Sequence, residues 1–208
     1  FTLPERDLLA LLTAAPNLTD FAGGGHWNEE AVKRLSNLEM FHINTSPGTA
    51  FDVAWLRHLP KLLSLGVYPD VEMRAPPRGT PPFEMPELVD LMWAPDGLSA
   101  ETLAGVSLPA LDRLNASTLL VSDALLAQLK SLRTLDVSDV AVMLQVFLEL
   151  TPLPHLPLAA KTLPHLTDLR FRTQADHPAL DLLRDLEVPE RLHEIRPEVT
   201  FSCVELPY

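Results

Sequence analysis

The chain has 208 residues, of which 47% are hydrophobic and 21% charged, and its formal net charge is −12. This charge argues against a nucleic-acid interface, because nucleic-acid affinity rests on clustered Lys and Arg. The apolar content excludes a disordered tail, and a single cysteine excludes an internal disulfide framework or a cysteine-rich zinc site. We therefore expect one domain with a sizeable core.

The start of the chain carries a helical pattern. The chain begins at Phe1, so we expect a processed or partial chain, and residues 1–15 contain charges that a secretory signal would not tolerate. No apolar run reaches the roughly 18 residues of a membrane span, and residues 140–150 predict a buried helix instead. We expect a soluble, cytoplasmic protein without a membrane partner, although secretion stays open.

One phrase, Leu-Pro-x-Leu-x-x-Leu-x-apolar, recurs along the chain. A degenerate copy at 16–22 opens the series, and a looser copy at 192–201 closes it. The second leucine of successive copies is spaced by 20, 24, 26, 23, 21 and 34 residues, and five of these six steps match the period of a repeat that folds as one strand and one helix. The clear copies are residues 35–43, 59–67, 85–93, 108–116, 129–137 and 163–171.

The alternation at the end of each copy predicts a short strand with one buried face. Proline before the strand prevents the preceding helix from continuing. Between the strands, capping residues and charge patterns predict helices. The predicted helices cover residues 28–35, 49–59, 99–108, 122–129, 140–150 and 178–186. The sequence thus predicts an α/β fold with a parallel sheet on one side and helices on the other.

The phrase resembles the first half of the leucine-rich repeat consensus, Leu-x-x-Leu-x-x-Leu-x-Leu-x-x-Asn-x-Leu, across nearly the whole chain. The resemblance implies a solenoid, a curved horseshoe segment of about seven to eight irregular repeats, most similar to the ribonuclease-inhibitor-like and F-box-associated types. Its sheet would line the concave face and its helices the convex face. The consensus Asn is replaced throughout, by Ser46, Asp70, Asp96, Leu119, Val140 and Gln174.

We predict a single domain over residues 1–208. It divides into an N-terminal helix with a degenerate first repeat (1–22), the repeats (23–186) and a C-terminal cap (187–208). A Pro-rich insertion at 68–83 and a long connection at 138–163 interrupt the period, either as surface variation or as functional insertions. In the cap, we expect the final core layer to be sealed by Leu192, Ile195, Val199 and Phe201.

No constellation of residues predicts catalysis, a cofactor site or a metal site. Gly23-Gly24-Gly25 lacks the spacing of a phosphate-binding loop and predicts a tight turn after the first strand. The seven histidines are scattered, and Cys203 is expected to be a small buried residue. Three sequons, at Asn17, Asn44 and Asn115, would matter only in a secreted protein and are interpreted as coincidental.

If the repeats stack, one row of residues faces outward along the middle of the sheet. Exposed Met, Tyr and Arg are typical of interface centres. Met40, Tyr68 and Met92 would form an apolar patch, and Arg170 with Arg172 a basic spot. The outward row would comprise Ala22, His42, Gly66, Met92, Asn115, Asp136 and Arg170. The predicted partner-binding residues are Met40, His42, Asn44, Tyr68, Asp90, Met92, Arg113, Asn115, Asp136, Arg170 and Arg172.

The function expected from this surface is non-catalytic binding of a protein partner, because repeat solenoids generally bind through their concave face. Two alternatives stay open within this class. One is the substrate-recognition part of an F-box-type ubiquitin ligase subunit, and the other is a structural subunit of a large assembly. A microbial effector fragment, whose catalytic part would lie outside the chain, is the remaining alternative.

Overall fold

The structure is a computed structural model that describes residues 2–45, 50–95, 97–150, 163–173 and 178–205. The strands are β1 Thr2–Leu3, β2 Asp20–Gly25, β3 Met40–Thr45, β4 Ala50–Asp52, β5 Ser64–Val67, β6 Glu72–Arg74, β7 Phe83–Glu84, β8 Asp90–Trp93, β9 Val106–Ser107, β10 Arg113–Ala116, β11 Thr134–Val137, β12 Asp168–Thr173 and β13 Thr200–Glu205. The α-helices are α1 Glu5–Ala14, α2 Glu29–Lys33, α3 Asp123–Gln128, α4 Val140–Leu150, α5 Pro178–Asp185 and α6 Val188–Ile195, and Val53–His58 forms a 3-10 helix.

Nine of the strands in the described segments form one parallel sheet, in the order β1-β2-β3-β5-β8-β10-β11-β12-β13. This spatial order is also the chain order, so each strand pairs with the strands that come before and after it in the sheet. The remaining strands lie in the connections and pair with one another, β4 with β6 and β7 with β9, again in parallel. Successive connections are therefore aligned with each other as well.

The core is built from the repeated leucines and from alternate strand residues. One row of strand residues, in register across the sheet, is no more than 2% exposed, because every second side chain of each strand points to the same face. The second leucine of each phrase, three residues before the buried strand residue, is buried as well. Burial of each of these side chains stabilises the fold by about 1.5–3 kcal/mol. The strand row contains Phe41, Leu65, Leu91, Leu114, Leu135 and Leu169, and the preceding leucines are Leu38, Leu62, Leu88, Leu111, Leu132 and Leu166.

Aromatic side chains replace leucines in the core near the start of the sheet. Their rings meet edge to face, with centroids 5.0 Å apart for Trp27 and Phe41 and 5.2 Å apart for Phe51 and Trp55. Phe21 contacts Trp27 in the same manner at 5.2 Å. Edge-to-face pairs of this kind stabilise beyond their buried area.

Five predicted helices are confirmed, as α1, α2, α3, α4 and α5. The prediction for 99–108 is wrong, because that segment holds only a turn followed by β9. The Ser99 hydroxyl caps the turn by accepting a hydrogen bond from the Thr102 amide at 3.1 Å, and Gly105 then reverses the chain with φ 74°. The prediction for 49–59 is also wrong as an α-helix: the described residues from Ala50 onward form β4 and the 3-10 helix.

Three further expectations are corrected. Gly23-Gly24-Gly25 belongs to β2 and pairs with β3, so it forms no turn. Cys203 is exposed rather than buried; it lies on β13, the last strand of the described sheet, which has a neighbouring strand on one side alone. Ile195 is 39% exposed, whereas Leu192 on the same helix, α6, is fully buried.

The Pro-rich segment 68–83 has the extended and turn-rich structure that was predicted for it, with β6 and the start of β7. Of the long connection 138–163, residues 151–162 lie outside the described residues. The C-terminal residues 188–195 and 200–205 form α6 and β13, and β13 continues the sheet in parallel with β12. Helix α6 also contacts α4, where the Arg191 guanidinium lies 5.3 Å from the ring centre of Phe147.

Candidate functional site

The side of the main sheet opposite the core carries the predicted outward row, and we call this side the open face. The row is aligned residue by residue across the sheet: Ala22 pairs with His42, and His42 with Gly66. The alignment continues from Gly66 to Met92 and from Met92 to Asn115. It ends with Asp136 and Arg170, paired on β11 and β12. Short strands in chain order thus bring residues from seven separate phrases onto one line.

The centre of the first half of the open face is a glycine that two neighbours cover. A Cβ atom at Gly66 would lie 3.0 Å from Cδ2 of His42 and 3.2 Å from Cε of Met92. These two side chains therefore lean over Gly66 from β3 and β8. The Tyr68 ring lies 6.4 Å from the His42 ring, centre to centre. Because Gly66 has no side chain, its neighbours approach each other over the bare backbone.

Exposed apolar side chains surround this centre. Met40 is 46% exposed and Tyr68 37% exposed, and Met92 is half-buried. Leu63 and Val89 add exposed apolar surface at the N-terminal ends of β5 and β8. We call these residues together with His42 and Gly66 the Gly66 patch. The structure thereby brings together four predicted binding residues: Met40, His42, Tyr68 and Met92.

Carboxylates border the Gly66 patch. Asp20 is paired with Met40 in register on β2 and β3, and Glu39 directly precedes Met40; both residues are exposed. Among the described residues, neither carboxylate forms an ion pair with a Lys or Arg, and Asp20 accepts a hydrogen bond from the Thr19 hydroxyl at 2.8 Å. Asp90, on the other side of the patch, lies 3.5 Å from Arg113 on β10.

The second half of the open face is dominated by paired charges. The Arg170 guanidinium donates from Nε to Oδ2 of Asp168 at 2.8 Å, and Arg172 donates from Nε to Oδ2 of Asp136 at 2.7 Å. The predicted basic spot is therefore corrected: each of its two arginines is neutralised by a carboxylate on the same face. This surface presents balanced charge.

Asp136 is the only charged residue in the described segments that is buried, at 4% exposed. Its Oδ1 atom has no hydrogen-bond partner within the described structure. Burial raises the pKa of its carboxyl above the usual 3.8, and attraction to Arg172 opposes this rise. Asn115 and Arg170 flank Asp136 in register, so Asp136 lies in the floor of the face between polar neighbours.

Sequence reasoning missed several features of this face. The sequence predicts Gly66 in the outward row but does not indicate that it is covered, because the positions of the His42 and Met92 side chains over it depend on packing. The pairing of Arg172 with Asp136 joins residues 36 positions apart and leaves no local pattern. Asn44, which lies beside the patch, is exposed as predicted for an outward position, and Asn115 is half-buried.

Outside the open face, the most perturbed acid is Glu29 in α2. It accepts a hydrogen bond from Arg57 at 2.9 Å, and its Oε1 lies 2.9 Å from Nε2 of His58. These contacts hold the pKa of Glu29 at about 2. They join α2 to the 3-10 helix of the next connection, which indicates a structural ion pair between neighbouring connections.

Two negative observations apply to the described segments. No three His, Cys, Asp or Glu side chains there come together in an arrangement that would hold a metal ion. None of the helices there combines the length and the apolar content that a membrane crossing requires.

The described residues define an α/β protein built on one open parallel sheet whose strands follow chain order. Comparisons with models of known protein families, with curated protein sequences and with solved structures find no significant match to this chain.

Proposed function

We propose that the chain is a leucine-rich repeat module that binds a protein partner through the open face of its sheet. In this proposal the strands and their connections stack as an irregular solenoid, and the open face is its concave side. The module contributes a binding surface and no catalytic group.

The regular placement of the repeated leucines supports the solenoid. Each phrase buries the same leucine and the same strand position, and each strand lies beside the strands of the adjacent phrases. A unit of this size cannot bury its own apolar edge, so stacking on its neighbours is what stabilises it. The parallel pairing of β4 with β6 and of β7 with β9 extends this repetition to the connections.

The observation that carries the binding function is the single line of outward residues from Ala22 to Arg170. It runs across seven strands in register, and it includes partly exposed Met and Arg side chains, which are of the kinds enriched at interface centres. Met40, beside this line, is 46% exposed. Isolated apolar residues on a surface are common, but here several are contiguous.

Affinity capture from the native source with quantitative mass spectrometry tests this proposal. Met40→Asp should remove a captured protein, because it places a charge in the centre of an apolar contact. Leu11→Asp is the matched control, since Leu11 is 44% exposed on α1, away from the sheet's open face. Met92→Asp and Arg170→Glu extend the test along the face. If the three open-face variants capture the same proteins as the wild type and as Leu11→Asp, the open face is not the binding surface.

A further inference from the structure

The two halves of the open face differ in charge. The outward positions of β2, β3, β5 and β8 carry Asp20 and Asp90 and contain no Lys or Arg. Glu39 adds a third carboxylate at the N-terminal end of β3. The outward positions of β11 and β12, in contrast, carry Arg170 and Arg172 paired with Asp168 and Asp136, and Arg113 on β10 is paired with Asp90 across the boundary between the halves. The first half is therefore apolar and carries carboxylates without an arginine of its own, whereas the arginines of the second half are held in ion pairs.

We call the apolar part of the first half, around Gly66, the seat. Gly66 lies at its floor beneath His42 and Met92, and Tyr68 and Met40 stand exposed on either side. Thioether side chains adapt to the shape of what they contact, so Met40 and Met92 suit an apolar side chain of a partner. A tyrosine ring at the rim also offers its face to a cation.

The acidic border indicates the charge of what the seat receives. Asp20 and Glu39 are exposed and form no ion pair with Lys or Arg among the described residues, so their charges are available to a partner. Asp90 is held by Arg113 at 3.5 Å with both side chains well exposed, and such a surface pair contributes at most about 1 kcal/mol. A Lys or Arg of the partner can therefore displace Arg113 from Asp90 with a small loss of free energy.

The same charges disfavour other occupants. A second copy of this chain would bring a further net charge of −12 and another acidic patch to the contact. Nucleic acid would meet carboxylates where phosphate binding requires Lys and Arg. A basic protein segment meets neither obstacle.

We propose that the Gly66 patch binds a basic protein segment, with an apolar side chain packed on Met92 and His42, which cover Gly66, and with Lys or Arg side chains paired to Asp20 and Glu39. This inference rests on the proposed function and adds the chemical class of the partner. It also orients that partner, because both carboxylates lie at the N-terminal ends of the strands and Tyr68 lies beyond the C-terminal end of β5.

A phage-displayed library of random peptides, selected on the immobilised chain, tests the inference without knowledge of the natural partner. Enriched peptides are synthesised, and their Kd is measured by fluorescence anisotropy. The charge-reversal variant is Asp20→Lys with Glu39→Lys. Its control is Glu101→Lys with Glu194→Lys, which makes the same change in net charge at exposed positions away from the patch. Circular dichroism verifies that each variant is folded.

We expect enriched peptides to combine Lys or Arg with an apolar residue. Charge reversal at the patch should raise their Kd about tenfold or more, because attraction becomes repulsion, whereas the control should change it by less than about threefold. Met92→Asp should also abolish binding, and the affinity should fall as salt is added.

Three outcomes would overturn the inference. Peptides that depend on Met92 but carry no excess of Lys or Arg would refute the basic partner and leave the proposed binding face intact. Selection that returns no peptide sensitive to any open-face substitution would contradict both proposals. A dimer in sedimentation velocity that Met40→Asp dissociates would assign the patch to a second copy of the chain.

Discussion

Arg172 on β12 donates a hydrogen bond from its Nε to Oδ2 of Asp136 on β11, at 2.7 Å. Asp136 pairs in register with Arg170, so Arg172 reaches back diagonally to a residue two positions out of register. The residue is 4% exposed and its Oδ1 is unpartnered within the described structure, so Arg172 is the main compensation for taking this carboxylate out of water, with a smaller attraction from Arg170.

Replacing Arg172 should destabilise the fold. Arg172→Met leaves the buried Asp136 without its cation, and we expect a loss of about 1–2 kcal/mol, limited because Arg172 itself is 36% exposed. Urea unfolding measures the loss. Arg113→Met, which breaks the exposed pair with Asp90, is the control and should cost less than about 0.5 kcal/mol.

The double variant Arg172→Met with Asp136→Asn should recover most of this loss, because it no longer buries an unpaired charge. If Arg172→Met costs no more than Arg113→Met, the diagonal pair does not stabilise the sheet.

Asp136 should make stability fall as pH rises. Burial raises the pKa of its folded-state carboxyl above 3.8, so the folded chain holds this proton more tightly than the unfolded chain does. The stability that this proton provides is fully present below the unfolded pKa and is lost as pH rises through the folded pKa. Asp136→Asn removes this loss. In urea unfolding over a pH series, the free energy of unfolding of the variant should therefore rise relative to that of the wild type as the pH increases. A constant difference would contradict the raised pKa.

Glu29 should act in the opposite direction. Hydrogen bonds from Arg57 and His58 lower its pKa from 4.5 to about 2, so the folded chain releases this proton more readily than the unfolded chain. Its contribution to stability is present above pH 4.5 and is lost as pH falls toward 2. The difference between wild type and Glu29→Gln should therefore be largest near neutral pH and vanish near pH 2. Acid titration followed by carboxyl NMR checks the pKa directly, and a midpoint near 4.5 would refute the prediction.

Two glycines should respond differently to alanine. At Gly66 the obstacles are the movable side chains of His42 and Met92, so we expect a cost of about 1 kcal/mol or less and a change in the NMR signals of both neighbours. At Gly105 the new Cβ would meet Pro82 at an ordinary 3.6 Å, but φ of 74° is strained for alanine and should cost about 1–2 kcal/mol. If Gly66→Ala leaves the His42 ring signals unchanged, His42 does not cover this glycine.

Sequence reasoning predicted the strands and their alignment well because both follow from a short repeated pattern. The residues His42, Gly66 and Met92 occupy the same place in successive phrases, and they are neighbours in the sheet. The helices were less predictable: the segment before Gly105 carries helix-forming residues, yet one glycine at positive φ and pairing with β7 determine its conformation. The helix preference of this segment is outweighed by the pairing of β9 with β7, which the sequence pattern does not show.

The side-chain partners on the open face were beyond prediction for a related reason. Whether an arginine is free or paired depends on residues one phrase away, as with Arg172 and Asp136. The expected basic spot is therefore a surface of ion pairs. At the border of the Gly66 patch, in contrast, Asp20 and Glu39 have no Lys or Arg partner among the described residues.

The aromatic side chains near the start of the sheet allow unfolding of the first half to be followed separately by fluorescence. All three tryptophans, Trp27, Trp55 and Trp93, precede β10, so intrinsic fluorescence follows the first half alone. Far-ultraviolet dichroism, in contrast, follows every strand and helix. Because each strand touches only its immediate neighbours in the sheet, the two halves can melt at different temperatures, and two spectroscopic midpoints that do not coincide would reveal which half melts first.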